Sequence, residues 1–331
     1  MCYTCHHKMG KILKSLTCTV LLVLLMVGVA LAGDGQVKIG ITQIVEHPSL
    51  DAAAQGFMDE LADSGYTGER VSYDLQNAQG DFATAQAIAE KFVNNKVDLI
   101  LAIATPTAQA SANVTEETPI LITAVTDPVA AGLVDSIDVP GTNVTGTSDL
   151  TPVAKQLELL LDIVPDVKRV GVLYNPGEAN SLVQLDLAKS AAKDLGLTIV
   201  EAPVSGSSGV HQSAQALIGR VDAIYVPTDN TVVSALESAI IVAESAKLPL
   251  ISGELDSVMR GALATVSLDY YSLGRQTGKM ALRILEDGAK PESMPIEYLQ
   301  DVSLVVNVEA ASRMGVTIPA EVLKSADQII D

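Results

Sequence analysis

The chain has 331 residues and a formal net charge of −19, with 40 acidic against 21 basic side chains. That length exceeds what one compact core usually holds, so two lobes are expected. The acidic balance argues against nucleic acid and anionic membrane surfaces as partners, because both carry negative charge themselves.

The first 32 residues have the three parts of an export signal. Lysines at positions 8, 11 and 14 precede an almost unbroken apolar run over 16–29, and Ala30-Leu31-Ala32 has the pattern of a cleavage site. A membrane anchor is the alternative, but the run is shorter than the ~20 residues that a spanning helix needs. We predict a cleaved signal peptide over 1–32, translation from Met1 or Met9, and export to the periplasm or the extracytoplasmic face of the membrane. All three cysteines lie in this segment, so the mature chain is expected to fold without disulfides.

From residue 37 onwards, short β-branched runs alternate with segments of helical periodicity. The predicted strands cover 37–42, 71–75, 98–104, 119–125, 170–174, 222–226, 249–252 and 302–306. Predicted helices follow most of them, and one over 270–287 carries Gly274 and Gly278 for close packing. This alternation predicts parallel sheets with helices on both faces.

The second half of the sequence repeats the order of the first. Residues 38–41 match 169–172, residues 98–100 match 222–224, and residues 119–122 match 249–251. We therefore predict an α/β fold with two doubly wound parallel-sheet lobes, joined by a hinge of three crossings. The Thr- and Gly-rich stretch 143–149 suits the first crossing. The predicted first lobe is 33–147 plus 269–299, and the second is 148–268 plus 300–331.

Polar residues follow most predicted strands at the point where the next helix begins. Helix capping explains any one of them, and Thr105, Asp127, Asn180 and Asp229 or Asn230 are good N-caps. As a set they also predict a ligand site, because ligands of parallel sheets sit beyond the carboxyl ends of the strands. Helix N-termini there suit a carboxylate, and aspartates suit an ammonium group. The predicted ligand contacts are Gln43, Thr105, Pro106, Thr107, Asp127, Ser148, Asp149, Asn175, Asn180, Ser181, Thr228, Asp229, Asn230 and Glu254.

Signatures of catalysis are few. After the predicted signal the chain keeps only His47 and His211, and it lacks the H-E-x-x-H, G-x-S-x-G, G-x-G-x-x-G and Walker patterns. His47 follows a strand, where a ligand contact, a cap and a solvent-exposed position are all open, and His211 is expected at the surface. The carboxylates among the predicted contacts could hold a metal, but such residues more often cap helices or meet a cationic ligand group. We predict no catalytic residue, no metal and no cofactor.

At these junctions the sequence resembles a known family. The segments that carry the resemblance are 40–43 (GITQ), 47–51 (HPSLD), 77–81 (NAQGD), 103–109 (IATPTAQ), 125–128 (VTDP), 143–146 (NVTG), 174–181 (YNPGEANS), 227–230 (PTDN) and 273–278 (LGRQTG). Together they resemble the solute-binding proteins of ABC transporters with the type I periplasmic-binding fold, in the branch of tryptophan- and tyrosine-binding proteins. The resemblance runs from about residue 37 to residue 319. It implies a receptor that binds an imported small molecule, with an aromatic amino acid as the expected ligand, and passes it to a membrane permease.

The residues themselves leave the ligand and the function class open. The chain has no Trp and three Phe, so Tyr174 and Tyr225 are the candidates for stacking on a ligand, and both suit a strand–helix core equally well. A branched aliphatic or purine-like ligand therefore stays open. Two other functions also stay open: an exported α/β enzyme that uses strand-end carboxylates as acid and base, and a soluble ligand sensor.

Overall fold

The computed structural model describes residues 35–331, so the predicted signal peptide, residues 1–32, lies outside the described residues. Within the described range, no helix combines the length and the apolar character that a membrane crossing requires. The strands are β1 (Val37–Gln43), β2 (Val71–Asn77), β3 (Leu99–Ile103), β4 (Ile120–Val125), β5 (Val144–Ser148), β6 (Arg169–Tyr174), β7 (Thr198–Pro203), β8 (Ala223–Val226), β9 (Leu250–Ser252), β10 (Ala264–Ser267), β11 (Glu297–Tyr298), β12 (Ser303–Asn307) and β13 (Gln328–Ile330). The helices are α1 (Pro48–Asp63), α2 (Phe82–Asn94), α3 (Thr105–Ala112), α4 (Val153–Ile163), α5 (Ala179–Asp194), α6 (Val210–Gln215), α7 (Asn230–Val233), α8 (Leu236–Ala246), α9 (Leu255–Met259), α10 (Tyr270–Leu285), α11 (Val308–Met314) and α12 (Ala320–Ser325).

The strands form three sheets. The first has the order β2-β1-β3-β4-β5-β11 and is parallel throughout. The second has the order β7-β6-β8-β9 and is also parallel. The third, β10-β12-β13, pairs β10 antiparallel with β12, and β12 parallel with β13. Strands β3 and β4 are buried along their whole length, as expected for parallel strands covered by helices on both faces.

Two separate hydrophobic cores divide these elements into two lobes. The first core draws on residues between 39 and 144 and between 268 and 296, and it includes the first sheet. The second core draws on residues between 153 and 266 and between 305 and 322, and it includes the other two sheets. The chain passes between the cores after β5, before α10 and after β11. The two-lobed α/β fold with three crossings is therefore confirmed, while the residue-level lobe boundaries stay a prediction.

The structure differs from the predicted elements at two places. The stretch 143–149, predicted as a hinge crossing, contains β5, a buried strand between β4 and β11. Its β-branched residues favour a strand, and Gly146, with φ 141°, passes so close to Ile122 that a side chain would overlap the Ile122 backbone. The crossing itself begins at Asp149. In the second lobe, β12 runs antiparallel to β10, so this lobe is not purely parallel as predicted.

Helices α1 and α10 pack closely beside the crossings. At Gly56 and Gly274, an added side chain would overlap the carbonyl oxygens of Tyr271 and Ala53 on the opposite helix, and Gly278 is similarly crowded by Glu60. Glycine therefore lets the two helix backbones approach, as predicted for Gly274 and Gly278. The contact fixes the start of α10, which lies at the cleft between the lobes.

Candidate functional site

A narrow cavity lies between the two lobes, beyond the carboxyl ends of their parallel strands. The first lobe contributes His47, Leu50, Ala124, Thr126 and Tyr270; the second contributes Asn180, Thr228, Asp229, Asn230, Val233 and Glu254; Asp149, on the first crossing, completes the lining. The cavity has about 270 Å³ of space between atoms, but the centre of a water-sized sphere fits in only about 10 Å³ of it. The lobes must therefore separate to admit a ligand the size of an amino acid.

Asp149 is a buried carboxyl at the hinge. Its Oδ2 accepts a hydrogen bond from the Tyr270 hydroxyl at 2.7 Å, and its Oδ1 accepts one from Thr126 Oγ1 at 3.1 Å. Burial raises the pKa of Asp149 to about 6, against the opposing effect of these two hydrogen bonds and with a further increase from Glu254. Each oxygen of a carboxylate can accept more than one hydrogen bond, so Asp149 can accept from a ligand as well.

Asp229 is also buried, and it accepts three hydrogen bonds from the protein, one more than Asp149. Its Oδ1 accepts from the N–H of Val232, which caps α7, and its Oδ2 accepts from the N–H of Asn175 and from Ser181 Oγ at 2.5 and 2.6 Å. Burial, and then the charge of Glu178, raise the pKa of Asp229 to about 7. The arrangement ties α7, α5 and the end of β6 together, which is a structural role.

Glu254 adds a third buried carboxyl to the lining. It is 2% exposed and accepts a hydrogen bond from Ser257 Oγ at 2.8 Å. Burial raises its pKa. None of the residues that line the cavity within the described range is Lys or Arg. The positive charge of Arg260, outside the lining, partly offsets the burial of Glu254, whereas no Lys or Arg acts on Asp149. Because a buried carboxylate without a nearby counter-charge is unfavourable, the cavity favours a ligand that places a positive group at Asp149.

Glu178 organises the wall of the second lobe. Its buried carboxylate accepts hydrogen bonds from Asn230 Nδ2 at 2.5 Å, from Asn180 Nδ2 at 3.2 Å and from Thr231 Oγ1 at 2.7 Å. Asn180 Nδ2 also donates to the carbonyl of Thr228 at 3.0 Å. The amide nitrogen of Asn180 therefore faces two acceptors, and its Oδ1 is buried without a hydrogen-bond partner among the described residues.

His47 lies on the first-lobe wall of the cavity and is the residue that directly precedes α1. Its side chain forms no cap hydrogen bond and is 5% exposed, so neither a capping nor a solvent-exposed position describes it. Neither ring nitrogen has a hydrogen-bond partner in the part of the chain that the structure describes. Burial, and then the positive charge of Arg260, lower the pKa of His47 to about 4, so the ring is neutral near pH 7.

Ala124 reaches the cavity through an irregularity in β4. The register of β4 against β5 shifts between Ile122 and Val125, and Ala124 has φ 55°, a left-handed conformation that is uncommon for a residue with a side chain. Backbone strain of this kind clusters at binding sites, where the surrounding structure holds it in place. The bulge therefore shapes the first-lobe wall beside Thr126.

The structure brings part of the predicted contact set together. The narrow cavity is lined by Asp149, Asn180, Thr228, Asp229, Asn230 and Glu254 from that set. A wider cavity of about 390 Å³, by the same measure that gives about 10 Å³ for the narrow one, is also lined by both lobes and includes Asn230, Pro106 and Asn175. Among the residues that sequence reasoning missed are Thr126, which directly follows a strand like the others, and Tyr270, which only the return of the chain at α10 brings here.

The remaining predicted contacts line neither cavity, and they are Gln43, Thr105, Thr107, Asp127, Ser148 and Ser181. The side chains of Gln43, Thr107, Ser148 and Ser181 donate hydrogen bonds to protein acceptors. Asp127 accepts from two backbone N–H groups in a turn, where no helix follows. Thr105 is buried, and its Oγ1 has no partner among the described residues.

The capping explanation holds for Asp229 only. Ala104 and Glu178, rather than Thr105 and Asn180, occupy the positions that precede α3 and α5. Ala104 has φ 80°, which shifts the start of α3 by one residue from the predicted cap. Among residues 35–331, no group of His, Cys, Asp and Glu side chains is placed to hold a metal ion.

Comparison with known proteins finds a matching family and a similar binding protein. The family model for the ABC transporter substrate binding protein matches residues 38–330. The chain is 46% identical over 273 residues to the Tyrosine-binding protein of Clostridioides difficile (strain R20291), a match that covers 82% of this chain and 79% of the relative.

Solved structures resemble the whole described chain. A conserved domain protein from Vibrio cholerae is 44% identical with a TM-score of 0.87, covering 89% of this chain and 99% of that one. A Streptococcus pneumoniae ABC domain in complex with L-Trp is 38% identical with a TM-score of 0.87, covering 89% and 100%. A ligand-free, open substrate binding protein from Clostridium difficile is 45% identical but has a TM-score of 0.67, covering 88% and 99%. Although the open structure is more similar in sequence than the L-Trp complex, the lobes here are arranged more as in the complex.

Proposed function

Because the chain belongs to the family of ABC transporter substrate binding proteins, we propose that it is an extracytoplasmic receptor that binds an amino acid between its lobes and delivers it to a membrane permease. The observation that carries this proposal is the inter-lobe cavity lined by the buried carboxyls Asp149 and Glu254 without a Lys or Arg among its described lining residues. Such a cavity gains free energy when a ligand supplies an ammonium group. Binding, without chemical conversion, is the proposed activity.

The proposed ligand is an aromatic amino acid. A relative at 46% identity is named a tyrosine-binding protein, and a structural relative contains L-Trp. The wider cavity supports this choice, because it adjoins the narrow one at Asn230 and contains Phe82, whose side chain is 43% exposed. An aromatic side chain there would have apolar and aromatic surface to pack against. Tyr174 and Tyr225, the aromatic candidates from the sequence, line neither cavity.

Titration calorimetry with the chain from Gly33 onwards tests the proposal. We expect L-Tyr, L-Trp and L-Phe to bind, and tyramine and 3-(4-hydroxyphenyl)propionate, which lack the carboxylate and the ammonium respectively, to bind at least tenfold more weakly. Recovery of unchanged ligand by mass spectrometry separates a receptor from an enzyme. If no amino acid binds, the proposed ligand class is wrong, and binding of a nucleoside instead would favour the purine-like alternative.

A matched pair of variants locates the site. Asp149→Asn keeps the shape of a residue in the cavity but removes its charge, and we expect roughly a 30- to 1,000-fold loss of affinity, as for a buried hydrogen-bonded charge pair worth about 2–4 kcal/mol. Asp138→Asn removes an exposed carboxylate outside both cavities and should bind like the parent. Equal affinities for the two variants would place the ligand elsewhere.

We further propose that export removes residues 1–32. The expected result is that intact-mass analysis of the secreted protein gives a chain that begins at Gly33. A secreted chain that retains the apolar run 16–29 would contradict the signal-peptide proposal and favour a membrane anchor.

A further inference from the structure

We propose that His47 and Asn180, which face the narrow cavity from opposite lobes, are paired contacts for the head group of the bound amino acid and hold the two lobes closed on it. The inference rests on the proposed function. The juxtaposition that carries it is two buried side chains, one from each lobe, with polar atoms that no described protein group satisfies.

The side chain of Asn230 lies near enough to His47 to act on the ring, but its Nδ2 donates to Glu178 Oε2 and neither ring nitrogen has a partner with hydrogen-bond geometry among the described residues. His47 precedes α1, but its side chain caps nothing, and Pro48 at the first helical position leaves one fewer N–H to satisfy. Buried polar atoms are nearly always paired, so a histidine with two unpaired nitrogens inside a cavity calls for a partner that is not part of the chain. An apolar residue would fill this position at lower free-energy cost if stability were its only role.

Asn180 has a fixed orientation. Its Nδ2 donates to Glu178 Oε2 at 3.2 Å and to the carbonyl of Thr228 at 3.0 Å, and both partners are acceptors only. The amide cannot rotate by half a turn without placing its own oxygen against those two acceptors. The buried Oδ1 of Asn180 is therefore always a hydrogen-bond acceptor, and it has no partner among the described residues. Asn180 thus offers the ligand an acceptor and no free donor.

The chemistry of the two residues matches an amino-acid head group. Asn180 Oδ1, with the carboxyls of Asp149 and Glu254, forms a set of acceptors that suits an ammonium group. A neutral imidazole carries one N–H donor and one acceptor, and its N–H suits the ligand carboxylate. Burial is the main reason that the His47 ring is a neutral contact rather than a charged one, because it lowers the pKa of the ring. Arg260 lowers that pKa further, while Asp51, Asp256 and the Asn230 side chain raise it.

The test is the affinity and the unliganded stability of His47→Phe, measured beside His211→Phe. His211 is exposed and outside both cavities, so its variant controls for the change of side chain. We expect His47→Phe to bind L-Tyr, L-Phe and L-Trp about 10- to 100-fold more weakly, by a similar factor for each, because the lost contact is to the shared head group. The thermal midpoint without ligand should stay the same or rise, because no internal hydrogen bond is lost.

Three further variants keep the test decisive. His47→Gln, which retains a donor and an acceptor, should keep more affinity than His47→Phe, and it serves if the phenylalanine does not fold. Asn180→Leu should also weaken all three ligands, whereas Asn113→Leu, an exposed position, should not. If the parent and His47→Phe bind the ligands equally well, the inference is wrong. A lower thermal midpoint of His47→Phe would then assign a structural role to His47. If the parent binds none of the three ligands, the proposed function fails instead.

Discussion

Binding should weaken as the pH falls through 6, because the Asp149 carboxylate must be ionised to accept the ligand ammonium. Burial holds the pKa of Asp149 at about 6 in this structure. A bound ammonium favours the charged form and lowers that pKa, so binding near pH 6 should release protons. The ligand itself keeps both of its charges between pH 5 and 7. The pH dependence therefore belongs to the protein.

The magnitude follows from the ionised fraction. With a pKa of about 6, Asp149 is about nine-tenths ionised at pH 7.0 and about one-tenth ionised at pH 5.0. Affinity should therefore fall by at most about tenfold between them, because opening of the ligand-free cleft hydrates Asp149 and lowers its pKa. The titratable groups that act on Asp149 are Tyr270, which stays protonated throughout, and Glu254, whose raised pKa acts in the same direction. Asp149→Asn should therefore bind more weakly at pH 7.0, with a flatter pH profile.

Unliganded stability should change in the opposite sense. The pKa of Asp149 rises from the ordinary 3.8 to about 6 on folding, so the native state binds more protons than the unfolded state between these values. Stability is then lost as the pH rises from about 4 to 6, and ionised Asp149 destabilises the closed protein by about 3 kcal/mol at pH 7. Asp149→Asn should recover part of that free energy at pH 7 and none at pH 3.5.

Calorimetric titration at pH 7.0 and 5.0, in two buffers of different ionisation enthalpy, measures both the affinity and the protons released. Asp229→Asn is the informative control, since its carboxyl is also buried with a raised pKa but is bonded to the protein. Asp229 also lines the cavity and titrates in this pH range, so the Asp229→Asn variant should lose stability and keep the part of the pH dependence that Asp149 contributes. Equal parent affinity at both pH values, with no proton release, would refute the assignment of Asp149 as the ammonium partner.

Two further predictions concern the frame around the site. Gly274→Ala should destabilise the fold by about 1–3 kcal/mol or more in urea unfolding, because the new methyl group overlaps the Ala53 carbonyl, whereas Lys279→Ala on the exposed face of the same helix should change stability little. Tyr225→Phe should cost about 1–2 kcal/mol of stability, because it removes the hydrogen bond at 2.7 Å to Gln156 Oε1, and calorimetry should find ligand affinity unchanged.

The fold could be predicted from the sequence where one physical signal was sufficient. Strands β3 and β4 read as continuous apolar runs because both of their faces are covered by helices, and the repeated order of such runs indicated two lobes. Strand β5 was predicted as a hinge because its threonines and Gly146 lack that apolar signal. Strand β7 was not predicted, since it lies at the edge of its sheet with only partial burial. The two-residue β11 has no local pattern to detect.

The site was only partly predictable for a different reason. Chain order places a residue at the end of a strand, which found Asp149, Thr228 and Glu254, but it does not tell which way the side chain points. Thr107 and Ser148 satisfy the same rule and turn to backbone carbonyls instead. Tyr270 is separated from Asp149 by more than a hundred residues, and only the second crossing of the chain brings the two together.

A closed cleft built from these groups is costly for the unliganded protein, and that cost is what couples binding to closure. In the closed arrangement Asp149 and Glu254 are buried, and His47 and Asn180 keep atoms without a described partner. When the lobes separate, water reaches all four residues and the penalty disappears, so without ligand the open state should be favoured. A ligand that satisfies these atoms in the closed state supplies the difference between the two states, as population-shift reasoning requires. Among the solved relatives, one structure is ligand-free and open, and another is a complex with L-Trp. Small-angle scattering should then show the ligand-free parent as more extended than its complex. His47→Phe, which lowers the penalty of closure, should be more compact than the parent without ligand.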